Sequence, residues 1–132
     1  MDNIDLINKA IEASKNAYTP YSHFNVGAAI LTKSGKVFTG CNVECSSYGI
    51  SLCAERTALV KAVSEGCKDF EKIAVVGGTN DEFVYTTPCG ACRQFLADFN
   101  QNMDVIMGFL DKGELQHKDM MLKELLPETF EL

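Results

Sequence analysis

Apolar positions recur along this chain at helical spacing in some stretches and form short strand-like runs in others, and the switches between the two mark its elements. Residues 4 to 18 put Ile4, Ile7, Ala10, Ile11, Ser14 and Ala17 on one face, which predicts an amphipathic helix. Thr19-Pro20-Tyr21-Ser22 breaks it. Residues 24 to 31 and 36 to 43 read as strands joined by the turn Thr32-Lys33-Ser34-Gly35, a hairpin. Residues 53 to 65 carry a stripe of Ala54, Ala58, Leu59, Ala62 and Val63 and stop at Gly66, the signature of a capped helix.

The second half repeats this alternation. Residues 72 to 77 form a continuous apolar run suited to a strand buried on both faces. Residues 89 to 99 follow Pro88 and predict a helix that turns Phe95, Leu96 and Phe99 inward. Residues 104 to 110 give another buried strand, followed by a short piece near 114 to 117 and a closing helix over 120 to 126, whose Met120-Met121 pair suits a core. This order predicts a three-layer α/β/α sandwich around a mixed five-stranded sheet. Right-handed crossovers would put the helices at 53 and 89 on the same face of the sheet. There is no repeat, low-complexity tract or linker, so residues 1–132 are expected to form a single domain.

The composition is 46% hydrophobic and 23% charged, ordinary for a globular chain. The net charge of −6 offers no basic footprint for nucleic acid. No segment is long and apolar enough to span a membrane, and Met1-Asp2-Asn3-Ile4-Asp5 lacks a secretory start. These features predict a cytoplasmic protein, where clustered cysteines point to metal or redox chemistry before disulfides.

Three cysteines stand out by position. Cys53 opens one predicted helix, and Cys89 and Cys92 open another within Pro88-Cys89-Gly90-Ala91-Cys92. Helix starts favour thiolates, and residues three apart share a helix side, so Cys89 and Cys92 can hold one ion. A closed structural zinc site usually shows two Cys pairs or ligand-spaced histidines. Three ligands with an open fourth position fit a catalytic zinc. Glu55 is the candidate proton shuttle, although a first-turn glutamate also serves the helix dipole. It converges with Cys53 only if Cys53 precedes the first helical residue. Zinc with three thiolates carries a net negative charge, which Arg56 could offset by donating to sulfur; a solvated arginine is the plain alternative.

These residues resemble the zinc deaminase signature, H-x-E and P-C-x-x-C with a three-cysteine variant. Cys53-Ala54-Glu55 and Pro88-Cys89-Gly90-Ala91-Cys92 carry the resemblance, with Cys in place of His as in the small cytidine deaminases. Phe24-Asn25-Val26-Gly27-Ala28-Ala29, Gly40-Cys41-Asn42-Val43-Glu44 and Glu124-Leu125-Leu126-Pro127 extend it over nearly the whole chain. The resemblance implies one zinc ion per chain on Cys53, Cys89 and Cys92. Glu55 would move a proton from water to N3 of the base and then to the departing ammonia. Asn42 and Glu44 would bind the ribose 3′-hydroxyl, Phe24 would pack on the base, and the Ala54 N–H would meet the base carbonyl. It further implies a homotetramer acting in pyrimidine salvage, with Ser46, Tyr48 and Phe130 reaching a neighbouring subunit's site. Cys45 stands where such relatives commonly carry Asn.

Three rival readings compete with this one. A thioredoxin-like oxidoreductase would use Cys89 and Cys92 but leaves Cys53-Ala54-Glu55 without a role. A zinc-stabilised binding module gives Glu55 no task. A deaminase for a nucleoside such as blasticidin S is the nearest alternative, and Arg56 and Glu44 favour plain cytidine. His23 and His117 have no ligand-spaced partner and read as ordinary surface residues, while Cys41, Cys45 and Cys67 read as unpaired thiols.

Overall fold

The computed structural model describes all 132 residues. Helix α1 spans Asn3–Ser14 and starts where the Asp2 side chain accepts the Asp5 N–H at 2.8 Å. It stops four residues before the expected end. The Tyr18 N–H turns away to the Asn42 carbonyl, and its carbonyl accepts from Glu44, which draws this stretch toward the sheet edge. The buried face is Leu6, Ile7, Ala10, Ala13 and Ser14, so Ile4 is exposed and Leu6 takes its expected place.

Six strands form one sheet, one more than the sequence predicts. They are β1 (Asn25–Thr32), β2 (Val37–Cys41), β3 (Phe70–Thr79), β4 (Glu82–Val84), β5 (Asp104–Asp111) and β6 (Glu114–Met121). The order is β2-β1-β3-β5-β6, with β3 and β5 parallel and the other pairs antiparallel. The extra strand, β4, folds back on the end of β3 through Asn80 and Asp81, both at positive φ as a tight hairpin turn requires. Strand β6 extends through Met121, so Met120 and Met121 end a strand and do not lie in a helix. Only Leu122–Leu125 remains helical there, as α4.

The sheet separates two cores. On one face α1 packs Leu6, Ile7 and Ala10 on Ala29, Leu31, Ala74, Val76 and Ile106. On the other, α2 (Ala54–Ser64) and α3 (Gly90–Ala97) cover Ala28, Ile30, Ile73, Val75, Val105 and Met107. The two cysteine-bearing helices therefore share a face, as expected, and the α/β/α layering holds. Within α3, Cys92, Leu96 and Ala97 are buried, whereas Phe95 is exposed. Phe99 lies beyond the helix and stacks edge-on against Phe70 at 5.6 Å.

One glycine sets where α2 begins relative to the sheet. A Cβ on Gly40 would come 2.5 Å from the Ala58 N and 2.6 Å from the Ala54 O. The helix rests directly on the β2 backbone there, which holds its first turn at the end of the strand.

Candidate active site

Cys53 is the residue before α2. Its backbone is extended (φ −76, ψ 154), so Ala54 is the first helical residue. That break lets Cys53 and Glu55 converge, which two adjacent helical positions of that spacing could not do. Cys89 occupies the same place before α3, also extended, and Cys92 lies in the first turn. The two helix starts meet. The Cys53 and Cys89 sulfurs are 3.6 Å apart and the Cys89 and Cys92 sulfurs 3.5 Å apart. All three lie within 4.8 Å of one another.

This donor set fits a soft divalent cation. The neighbouring Cys92 thiol draws the Cys53 pKa down to about 5, with help from the Arg56 guanidinium. The same proximity, together with burial and the nearby acids, pushes the Cys92 thiol far up. The first negative charge forms easily and the next is strongly opposed unless a cation shares it, so these sulfurs are suited to zinc. Arg56 Nη2 donates to Cys53 Sγ at 3.4 Å and to the Ser51 carbonyl at 3.2 Å, while its Nε is buried without a partner. The arginine is therefore turned inward to the sulfurs, and its own pKa rises through them.

Glu55 is buried, and loss of solvation raises its carboxyl pKa to about 7. It lines the same cavity as Cys53 and Cys89, a hollow of about 450 Å³. Phe24, Asn42, Glu44, Tyr48 and Ala54 line it too. So do Val26, Ser51, Leu52, Thr86 and Thr87, which the sequence reading did not single out. Ser46 and Phe130 lie outside it; Phe130 is exposed near the chain end, its carbonyl accepting from Gln94 at 3.0 Å. The larger hollows along α1 and beside His23, about 620 and 680 Å³, bring together no thiols. His117 bonds to Asp119 at 2.6 Å on the edge strand β6 and does not join the cysteine cluster.

The remaining wall is built by backbone clamps. Asn42 Oδ1 accepts the Val26 N–H at 2.8 Å and its Nδ2 donates to the Phe24 carbonyl at 2.9 Å. Glu44 accepts the Tyr21 and Ser22 N–H groups, each at 3.1 Å, and the Ser22 hydroxyl. The Ser22 hydroxyl, first among these donors, holds the Glu44 carboxyl below the usual carboxylate range. The Phe24 ring lies over Gly77, where a Cβ would come 2.8 Å from Cε2 and 2.9 Å from Thr86 Oγ1.

Residues 1–109 match the family model described as the cytidine and deoxycytidylate deaminase zinc-binding region. A cytidine deaminase of Halalkalibacterium halodurans is 48% identical over 131 residues, covering 98% of this chain and 95% of the relative. A probable cytidine deaminase of Dictyostelium discoideum is 55% identical over 101 residues, 74% of this chain and 67% of the relative. The crystal structure of cytidine deaminase from Burkholderia pseudomallei superposes with a TM-score of 0.87 at 43% identity, covering 98% of this chain and 100% of that one. A blasticidin-S deaminase of Bacillus cereus is more distant, 32% identical over 109 residues, 79% of this chain and 77% of the relative.

Proposed function

The chain belongs to the cytidine and deoxycytidylate deaminase family, and from that premise we propose that it hydrolyses cytidine and 2′-deoxycytidine to the uracil nucleosides and ammonia. The observation that carries this reading is the meeting of three sulfurs from two helix starts beside one buried carboxyl group. An oxidoreductase built on Cys89 and Cys92 alone accounts for neither Cys53 nor Glu55.

Cys53, Cys89 and Cys92 would hold one zinc ion. When bound, zinc acidifies water and so supplies a nucleophile at neutral pH. Arg56 offsets the excess negative charge of the sulfurs. Glu55 takes the proton from water, delivers it to N3 of the base, and then returns a proton to the departing amine. Its burial and near-neutral pKa support both directions of transfer. The water oxygen adds to C4 as the proton reaches N3. In the following step the proton of the new C4 hydroxyl passes through Glu55 to the amine, and the C4–N4 bond breaks as the C4 carbonyl forms, releasing ammonia. Ala54 is the first helical residue of α2, where an N–H has no partner within the helix, and that supports its pairing with the base carbonyl. Phe24 packs on the base, and Asn42 and Glu44 receive the ribose 3′-hydroxyl.

The finer reading concerns assembly and place. Tyr48 and Ile50 are 72% and 69% exposed near the cavity mouth, and Phe130 is 65% exposed outside its own chain's cavity. This apolar surface supports a homotetramer in which Ser46, Tyr48 and Phe130 of one subunit meet the site of another. Light scattering at assay concentration should give four times the chain mass. Six cysteines without a disulfide support a reducing compartment, the cytoplasm, and the family membership supports a role in pyrimidine salvage.

The deciding assay follows the ultraviolet change of cytidine, deoxycytidine and cytosine, beside metal analysis. Both nucleosides should turn over with one zinc per chain, and Glu55→Gln should keep the zinc and lose turnover. A zinc-free active enzyme, or full activity in Glu55→Gln, would reject the proposal.

A further inference from the structure

Ser22 lies outside the residues assigned to the nucleoside, yet it bonds to two that are. Its hydroxyl donates to Glu44 Oε2 and accepts the Phe24 N–H at 3.1 Å. Its own N–H, with that of Tyr21, donates to Glu44 Oε1. A carboxylate offers about four acceptor positions. Two donors on Oε1 and one on Oε2 leave a single position, on the oxygen that the Ser22 hydroxyl orients.

The geometry points to Ser22 as a positioning residue for sugar recognition: its hydroxyl aims the last free acceptor of Glu44 at one hydroxyl of the nucleoside while fixing the Phe24 backbone beneath the base. The inference rests on the reading of Glu44 as the 3′-hydroxyl partner. It adds that sugar and base subsites move as one unit. The Asn42 amide closes that unit from the other side, through the Phe24 carbonyl and the Val26 N–H. A serine that merely shaped the loop, as serines often do through local backbone bonds, would leave sugar selectivity unchanged.

The test compares wild type, Ser22→Ala and Ser22→Thr on cytidine and 3′-deoxycytidine, reading kcat and KM separately. Ser22 is exposed, so alanine removes no core packing. A hydrogen bond to a charged group is worth enough that wild type should prefer cytidine by roughly tenfold or more in kcat/KM. Ser22→Ala should lose roughly tenfold on cytidine through KM, with kcat within about twofold, and lose much less on 3′-deoxycytidine. Ser22→Thr keeps the hydroxyl and should restore most of the preference. A Ser22→Ala enzyme with the wild-type preference, equal losses on both substrates, or a Ser22→Thr enzyme as impaired as Ser22→Ala overturns the assignment. A wild type indifferent to the 3′-hydroxyl overturns the Glu44 reading instead.

Discussion

Arg56 reaches back one helical turn to Cys53, placing Nη2 3.4 Å from the sulfur while its Nε stays buried and unpartnered. An arginine that leaves a donor unsatisfied in this way is held by the negative charge it faces. Its substitution should therefore alter chemistry more than metal content.

Arg56→Gln should retain one zinc per chain and lose roughly tenfold to a hundredfold in kcat, the range seen when groups supporting metal ligands are removed. Metal analysis and steady-state kinetics on one preparation check it. Wild-type turnover in the variant would refute the compensating role.

Zinc removal should abolish activity reversibly and change thiol reactivity. In chelated protein at about pH 6, Cys53 is largely thiolate because its folded pKa is about 5, whereas the Cys92 thiol stays protonated. Iodoacetamide followed by peptide mass analysis should label Cys53 ahead of Cys92, and zinc should protect both. Equal labelling of the two would contradict the difference in acidity described between them.

Glu44 gives a pH dependence of stability. Its folded pKa lies below the ordinary glutamate value of 4.5, because the Ser22 hydroxyl and the neighbouring N–H groups favour the carboxylate. The resulting stabilisation is complete above about pH 4.5 and is lost as pH falls from there through the lower folded value. Scanning fluorimetry of wild type and Glu44→Gln should show a melting gap that is constant near neutrality and narrows below that window. A gap that widens on acidification would reverse the sign and reject the assigned donors.

Gly77→Ala should disturb the base platform. The new methyl would lie under 3 Å from the Phe24 ring and the Thr86 hydroxyl. Overpacking of this kind costs about 1–3 kcal/mol. The expected result is a raised KM for cytidine, with zinc content and kcat little changed. An unaltered KM would show that the ring position is not set by this contact.

Much of the site is legible in the chain because its geometry is local. Cys53-Ala54-Glu55 and Cys89 to Cys92 each sit at a helix start, and the apolar stripe of α2 fixes which way Ala58, Leu59 and Ala62 face. Thr86 and Thr87 are not legible because a three-residue strand with no period brings them to the cavity. Ser22 is hidden for a similar reason: Thr19-Pro20-Tyr21-Ser22 signals only a break, while its partner Glu44 lies 22 residues away. Phe95 misleads because a large ring on a short helix counts as core by type, while the core space goes to Leu96 and Ala97. The full length of β6, beyond the short piece expected near 114 to 117, is not legible because its exposed residues, Gln116 to Asp119, carry no hydrophobic alternation; pairing with β5 alone makes them a strand.

The sulfur trio is divided along the chain, one member before the β3–β4 hairpin and two after it. A growing polypeptide thus owns at most a two-pronged grip on any ion until both helices have docked on the same face of its central strand. Ion capture with full strength becomes a late event in maturation, and a partly made or misfolded copy surrenders its cargo to competing chelators.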